Sequence, residues 1–146
     1  HWKWATQPNA REKASFLKEN IIPMQESGHL HFVPLNGRAA FQQFEVLTVD
    51  GHTDKQMIPK IKYKDHTIVF MADLLPSVGH IPLPYVMGYD TRPLLTLDEK
   101  EKFLNEAADQ GYILFLEHDP MNECCTVKHT EKGVRLDKTF SLKEIL

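Results

Sequence analysis

Thr67-Ile68-Val69-Phe70-Met71-Ala72-Asp73-Leu74-Leu75-Pro76-Ser77 decides how this chain is read. A run of strand-forming residues ends on a carboxylate. Closing a buried strand with a carboxylate is costly unless the charge is paired or metal-bound. The plainer reading, a helix N-cap at Asp73, is disfavoured by the Leu74-Leu75-Pro76 that follows. The same pattern recurs on both sides. Phe44-Glu45-Val46-Leu47-Thr48-Val49 ends at Asp50-Gly51-His52-Thr53, and Tyr112-Ile113-Leu114-Phe115-Leu116 ends at Glu117-His118-Asp119-Pro120. Imidazole and carboxylate are donors that zinc accepts, and strand ends hold them in fixed geometry. Gly51 permits the tight turn that would bring the His52 imidazole to a metal; the alternatives are a surface loop histidine at position 52 and a turn histidine at position 118.

In order and spacing, the stretch from about Asp50 to Pro120 resembles the second half of a metallo-β-lactamase-fold hydrolase. The wording Val69-Phe70-Met71-Ala72-Asp73-Leu74-Leu75-Pro76-Ser77, with His80 and Gly88-Tyr89-Asp90, is similar to the bacterial hydrolase branch related to lactonases and glyoxalase-II-like thioesterases. The resemblance implies that His52, Asp73 and His118 are metal ligands, with Asp73 bridging two zinc or similar divalent ions and acting in catalysis. It implies that Asp119 fixes the tautomer of His118, although a turn former before Pro120 is an equal reading. His80, Tyr85, Tyr89 and Asp90 lie in the irregular stretch after Asp73 and are candidates for substrate contact or for supporting a metal ligand from behind. In lactonase-like relatives a Tyr soon after the bridging Asp assists the oxyanion; here Leu75-Pro76-Ser77 occupies that region.

The family's upstream His-x-His-x-Asp-His segment is missing. His29-Leu30-His31 runs into Phe32-Val33-Pro34, without the Asp-His pair. The chain is therefore expected to be the C-terminal portion of a hydrolase, residues 1–146 forming one α+β domain. That domain would be half of an α/β/β/α sandwich: one mixed sheet with helices on one face. Its start at His1, without an initiator Met, fits a cut or processed beginning.

Composition bounds the partners. Hydrophobic residues make up 42% and charged residues 25%, with a formal net charge of −3. That suits a globular domain and argues against a nucleic-acid surface, and with it against the nuclease branch of the family. Lys55, Lys60, Lys62 and Lys64 read as a solvated strand face. No apolar run approaches the roughly 18 residues of a membrane span. The adjacent Cys124 and Cys125 are poorly placed to pair and read as reduced packing residues, which points to the cytoplasm.

Along the chain, Asn9 and Glu12 read as a capping box opening a helix through Ile21, broken or kinked at Pro23 and ended by Ser27-Gly28. A strand is expected near 30–33 and a loop over 34–40. Strands follow at 44–49, 57–64 and 66–71, with an edge or bulge at Pro59. Residues 74–93 read as an irregular loop lining the site. Thr96 caps a helix to Gln110, with Gly111 as its stop. Strands at 112–117, 123–130 and 133–137 precede a short helix from Ser141. His29, His31, His66 and His129 read as surface or packing histidines.

The expected function is metal-dependent hydrolysis of an ester, lactone or thioester. In this chain alone metal binding is expected to be weak and catalysis poor. The rival is a non-catalytic binding or assembly module that keeps the half-fold. Either would pair its exposed sheet face with the missing N-terminal half or with a second copy, as a dimer.

Overall fold

The structure is a computed structural model that describes residues 1–33, 38–41 and 44–146. The chain divides into two compact units, residues 1–35 and 36–146.

The first unit holds two short helices, α1 (Trp2–Thr6) and α2 (Lys18–Glu26). The expected helix from Asn9 does not form. The Asn9 side chain does accept from the backbone N–H of Arg11 and of Glu12, at 2.9 and 3.1 Å. However, the Glu12 carboxylate accepts from the Asn9 amide and the Trp4 indole instead of closing a capping box. The cap thus starts a turn over 10–15 that does not propagate, and α2 begins only at Lys18. Pro23 lies inside α2 without breaking it, and the helix ends with Ser27 as its C-cap, as expected. Residues 29–33 are irregular, where a strand was expected.

The second unit is one seven-stranded sheet whose spatial order follows the sequence, β1 to β7. The strands are β1 (Arg38–Ala40), β2 (Phe44–Val49), β3 (Gln56–Tyr63), β4 (His66–Phe70), β5 (Ile113–Phe115), β6 (Cys124–Thr130) and β7 (Gly133–Phe140). β1 falls where a loop was expected; residues 34–37 of that stretch lie outside the described residues. All neighbours pair antiparallel except β4 and β5, which are parallel, with Val69 opposite Leu114. The parallel pair needs a long return connection. The chain supplies it with the irregular stretch after Phe70 and helix α3 (Pro93–Gln110).

α3 starts three residues before the expected cap, with Pro93 in its first turn, where a missing N–H costs nothing. Gly111 ends it at φ 64°, the left-handed conformation glycine tolerates best. The helix lays Phe103, Leu104 and Ala107 onto one sheet face against Ile58, Val69, Met71, Leu114, Cys125 and Val127. Each large side chain buried there contributes about 1.5–3 kcal/mol. The result is a mixed α+β sheet with its helical layer on one face, as expected.

Three local readings change. Pro59 sits on an interior strand, one residue beyond the β3–β4 ladder that begins at Lys60–Val69. Lys60 is not solvated: its ammonium lies under α3, 3.1 Å from Glu106 Oε1 and 2.8 Å from the Tyr112 hydroxyl. The more exposed side of β3 is the apolar one, with Met57 48% and Ile61 43% exposed beside Phe44 at 38%. The C-terminal helix is a short 3-10 turn at Leu142–Glu144, closed by a Ser141–Glu144 capping box. Cys124 and Cys125 are unpaired and buried, and no described helix is long and apolar enough to cross a membrane.

Candidate metal centre

β2, β4 and β5 run in the same direction, because β3 reverses between β2 and β4 and the β4–β5 pair is parallel. Their C-terminal ends therefore open on one edge of the sheet. His52 follows β2, Asp73 follows β4 and His118 follows β5.

Asp73 stands between the two imidazoles. His52 Nε2 is 3.5 Å from Asp73 Oδ2, and His118 Nε2 is 3.2 Å from Asp73 Oδ1. The chain reaches this arrangement through Ala72, which adopts a positive φ of 41°. A non-glycine residue held there stores about 1–3 kcal/mol of strain, a cost that tends to gather at functional turns. The turn is pinned by Met71 N–H donating to Phe115 O at 3.0 Å and Leu74 N–H donating to Met71 O at 3.1 Å. Gln56, which the sequence did not single out, donates its amide to Asp73 Oδ2 at 3.3 Å.

The loop that presents His52 is fastened to the start of α3. Glu99 accepts from the backbone N–H groups of Asp50 and Gly51, at 2.8 and 2.9 Å. Burial pushes the Glu99 carboxyl up, and those two bonds only partly offset it. Arg92 N–H donates to Gly51 O at 2.8 Å, and Thr91 N–H to His52 O at 3.1 Å. Gly51 is required by space: a Cβ there would stand 2.3 Å from the Thr96 backbone nitrogen. Burial pushes the Asp50 carboxyl up, but its bonds to the Lys55 ammonium and N–H outweigh this and hold it low.

Asp90, expected either behind a ligand or at the substrate, lies behind His52. Its side chain has no exposure, and Oδ1 is 2.9 Å from His52 Nδ1, while Oδ2 is buried without a hydrogen-bond partner. A carboxylate on the far nitrogen fixes the ring and leaves Nε2 facing Asp73. Asp119 is engaged elsewhere. Oδ2 accepts from Val78 N–H at 3.0 Å, and Oδ1 from the N–H groups of Met121 and Asn122. Burial acts to raise its pKa, yet these bonds hold it low. Asp119 thus ties the loop after β5 to the irregular stretch, and the fixed imidazole is that of His52.

In the irregular stretch, His80 Nδ1 is 2.9 Å from Ser77 Oγ, and burial, then the Lys100 charge, lower its pKa. Tyr85 and Tyr89 are 60% and 75% exposed. Lys100, unremarked in the sequence, is 1% exposed and directs its ammonium to the carbonyls of His80, Pro82 and Tyr85. Burial pulls it down to about 8, against the opposing charge of Asp90. It organises the stretch from beneath. Of the remaining histidines, His129 pairs with Asp109 at 2.7 Å on the surface, and His29, His31 and His66 are exposed.

No family model and no curated protein matches the sequence. Solved structures do. A probable metal-dependent hydrolase from Staphylococcus aureus matches with a TM-score of 0.73 and 25% identity, over 96% of this chain and 49% of that one. A hydrolase in the β-lactamase superfamily matches with a TM-score of 0.74 and 21% identity, over 95% and 51%. A dizinc quorum-quenching lactonase in complex with a product matches with a TM-score of 0.65 and 24% identity, over 91% and 48%. The chain spans about half the length of these structures. Its fold is that of a half of a β-lactamase-superfamily metal-dependent hydrolase.

Proposed function

We propose that this chain is the C-terminal portion of a metal-dependent hydrolase acting on an ester, lactone or thioester, with His52, Asp73 and His118 as metal ligands. One observation carries the reading. Two imidazoles approach opposite oxygens of one carboxylate, at 3.5 and 3.2 Å, from the ends of three codirectional strands. The donor chemistry suits zinc or a similar divalent ion. The buried, unpartnered Oδ2 of Asp90 adds negative charge behind the site and fits a resident cation.

When bound, such an ion would polarise a substrate carbonyl and lower the pKa of water. The chain's own residues supply position. Asp90 holds His52, Gln56 steadies Asp73, and Lys100 and Asp119 fix the stretch 78–85 that carries Tyr85 and His80. The remaining donors would come from the other half of the enzyme. That half would also cover the face bearing Phe44, Met57 and Ile61. The same exposed face favours a second reading, a non-catalytic assembly module whose binding does not depend on Asp73.

A chimera tests the proposal: this chain replaces the matching 49% of the Staphylococcus aureus hydrolase. Zinc-dependent, chelator-sensitive hydrolysis of a lactone, ester or thioester is expected, and Asp73→Asn should abolish it. A folded chimera that binds zinc but hydrolyses none of the three would overturn the hydrolase reading.

A further inference from the structure

Glu117 precedes His118 in the bend after β5, where the backbone has left the strand and neighbouring side chains need not diverge. One donor atom each from Asp73, Glu117 and His118 lies within 4.8 Å of the others. The tightest measured pair, His118 Nε2 and Asp73 Oδ1, is 3.2 Å apart. Donors about 2.0–2.2 Å from a tetrahedral zinc ion stand roughly 3.3–3.6 Å from one another. Closing the set therefore needs only a small swing of Glu117, which is exposed and free to make it.

The charge balance points the same way. Among the described residues no lysine or arginine forms an ion pair with Asp73 or Glu117; Asp73 meets two imidazoles and the Gln56 amide. Behind His52, the fully buried Asp90 side chain leaves Oδ2 unpartnered. Asp73 and Glu117 thus stand together without an ion-paired lysine or arginine, whereas nearby Asp50 and Asp54 are matched by Lys55 and Arg92.

We propose that Asp73, Glu117 and His118 form a divalent-cation site that this chain holds by itself, with Glu117 as an added carboxylate donor. The proposal rests on the metal-site reading above but not on hydrolysis. In this half of the fold, Glu117 supplies a donor from the chain itself. The site is open and partly solvated, so binding is weaker than in a closed structural zinc site.

Zinc chloride titrated calorimetrically into the 146-residue chain tests it, beside Glu117→Gln and His52→Ala. Glu117 is exposed, so the isosteric change should leave the melting curve in place. The expected result is that Glu117→Gln lowers the zinc association constant at least about tenfold, with a smaller loss for His52→Ala. Unchanged affinity in Glu117→Gln overturns the proposal, as does a parent chain that takes up no zinc. If His52→Ala alone weakens binding, Glu117 is excluded while the two-histidine reading survives. If Glu117→Gln weakens binding while the folded chimera hydrolyses nothing, the cation site stands and the hydrolase reading fails.

Discussion

Gly51→Ala should dislodge the loop that carries His52, and its cost can be worked from the packing. The new Cβ would stand 2.3 Å from both the nitrogen and Oγ1 of Thr96 and 2.5 Å from its Cα. That is more than an ångström inside ordinary contact, and the obstacle is largely helix backbone. Two responses are open. The helix and loop can spread, and overpacking of this kind costs about 1–3 kcal/mol. Alternatively, the loop can lift away from α3 and give up the two bonds from Asp50 and Gly51 to Glu99. At about 1–1.5 kcal/mol each, those bonds set a cost of about 2–3 kcal/mol. Both routes meet near 2–3 kcal/mol, which for a chain of this size lowers the melting temperature by roughly 6–10 °C. Thermal melts followed by circular dichroism, without added metal, measure the shift. Gly88→Ala is the control, because a Cβ there meets nothing within 4 Å, and it should stay within about 2 °C of the parent. A Gly51→Ala protein that melts with the control refutes the claim that the strand end is wedged against the helix.

Lys100→Met should destabilise the chain by about 1–3 kcal/mol, because it leaves buried carbonyls at His80, Pro82 and Tyr85 without their donor. The pH dependence should reveal the same ammonium. Its folded pKa of about 8 lies below the unfolded 10.5, so between those values the unfolded chain binds more protons and stability rises with pH. Denaturant melts from pH 8 to 10.5 should show the parent gaining on Lys100→Met, and parallel curves would contradict the burial of the charge. Burial also pushes the Cys124 thiol to about 11 and the Cys125 thiol to about 12. Neither should react with a thiol reagent at pH 8 until guanidinium unfolds the chain, and rapid labelling of the native protein would show that the core opens there.

The convergence of three candidate donors was legible because they fall as punctuation. Asp73, His52 and His118 each follow an apolar run, and a run that ends on a metal-type donor can be read along one dimension. The sheet was legible for the same reason, since alternation and turn residues mark β2 to β7 within a few positions. What escaped depends on partners far away in the chain. Lys60 looked solvated because Glu106 and Tyr112, which receive it, lie on the far side of the crossover. Asn9 and Glu12 matched a helix start, but an indole eight residues back from Glu12 competes for the carboxylate that would have closed the box. Proximity in the sequence suggested Asp119 as the partner of His118, whereas the fold brings Asp90 across 38 positions to His52. Glu117 was passed over because adjacent residues on a strand diverge, and only the bend after β5 lets it share a side with His118.

The parallel pairing of β4 with β5 bears on the order of assembly. Its two strands are separated by the whole irregular stretch and α3, so closing it spans the largest sequence gap between neighbouring strands of the sheet. Pairings of that kind form slowly compared with hairpins such as β3–β4 and β6–β7. Asp73 and His118 come together only once that pairing is made. A cation seated between them would therefore arrive at a nearly finished molecule. Its kinetic signature would be a longer lifetime of the native state, with the rate of reaching that state left almost unchanged.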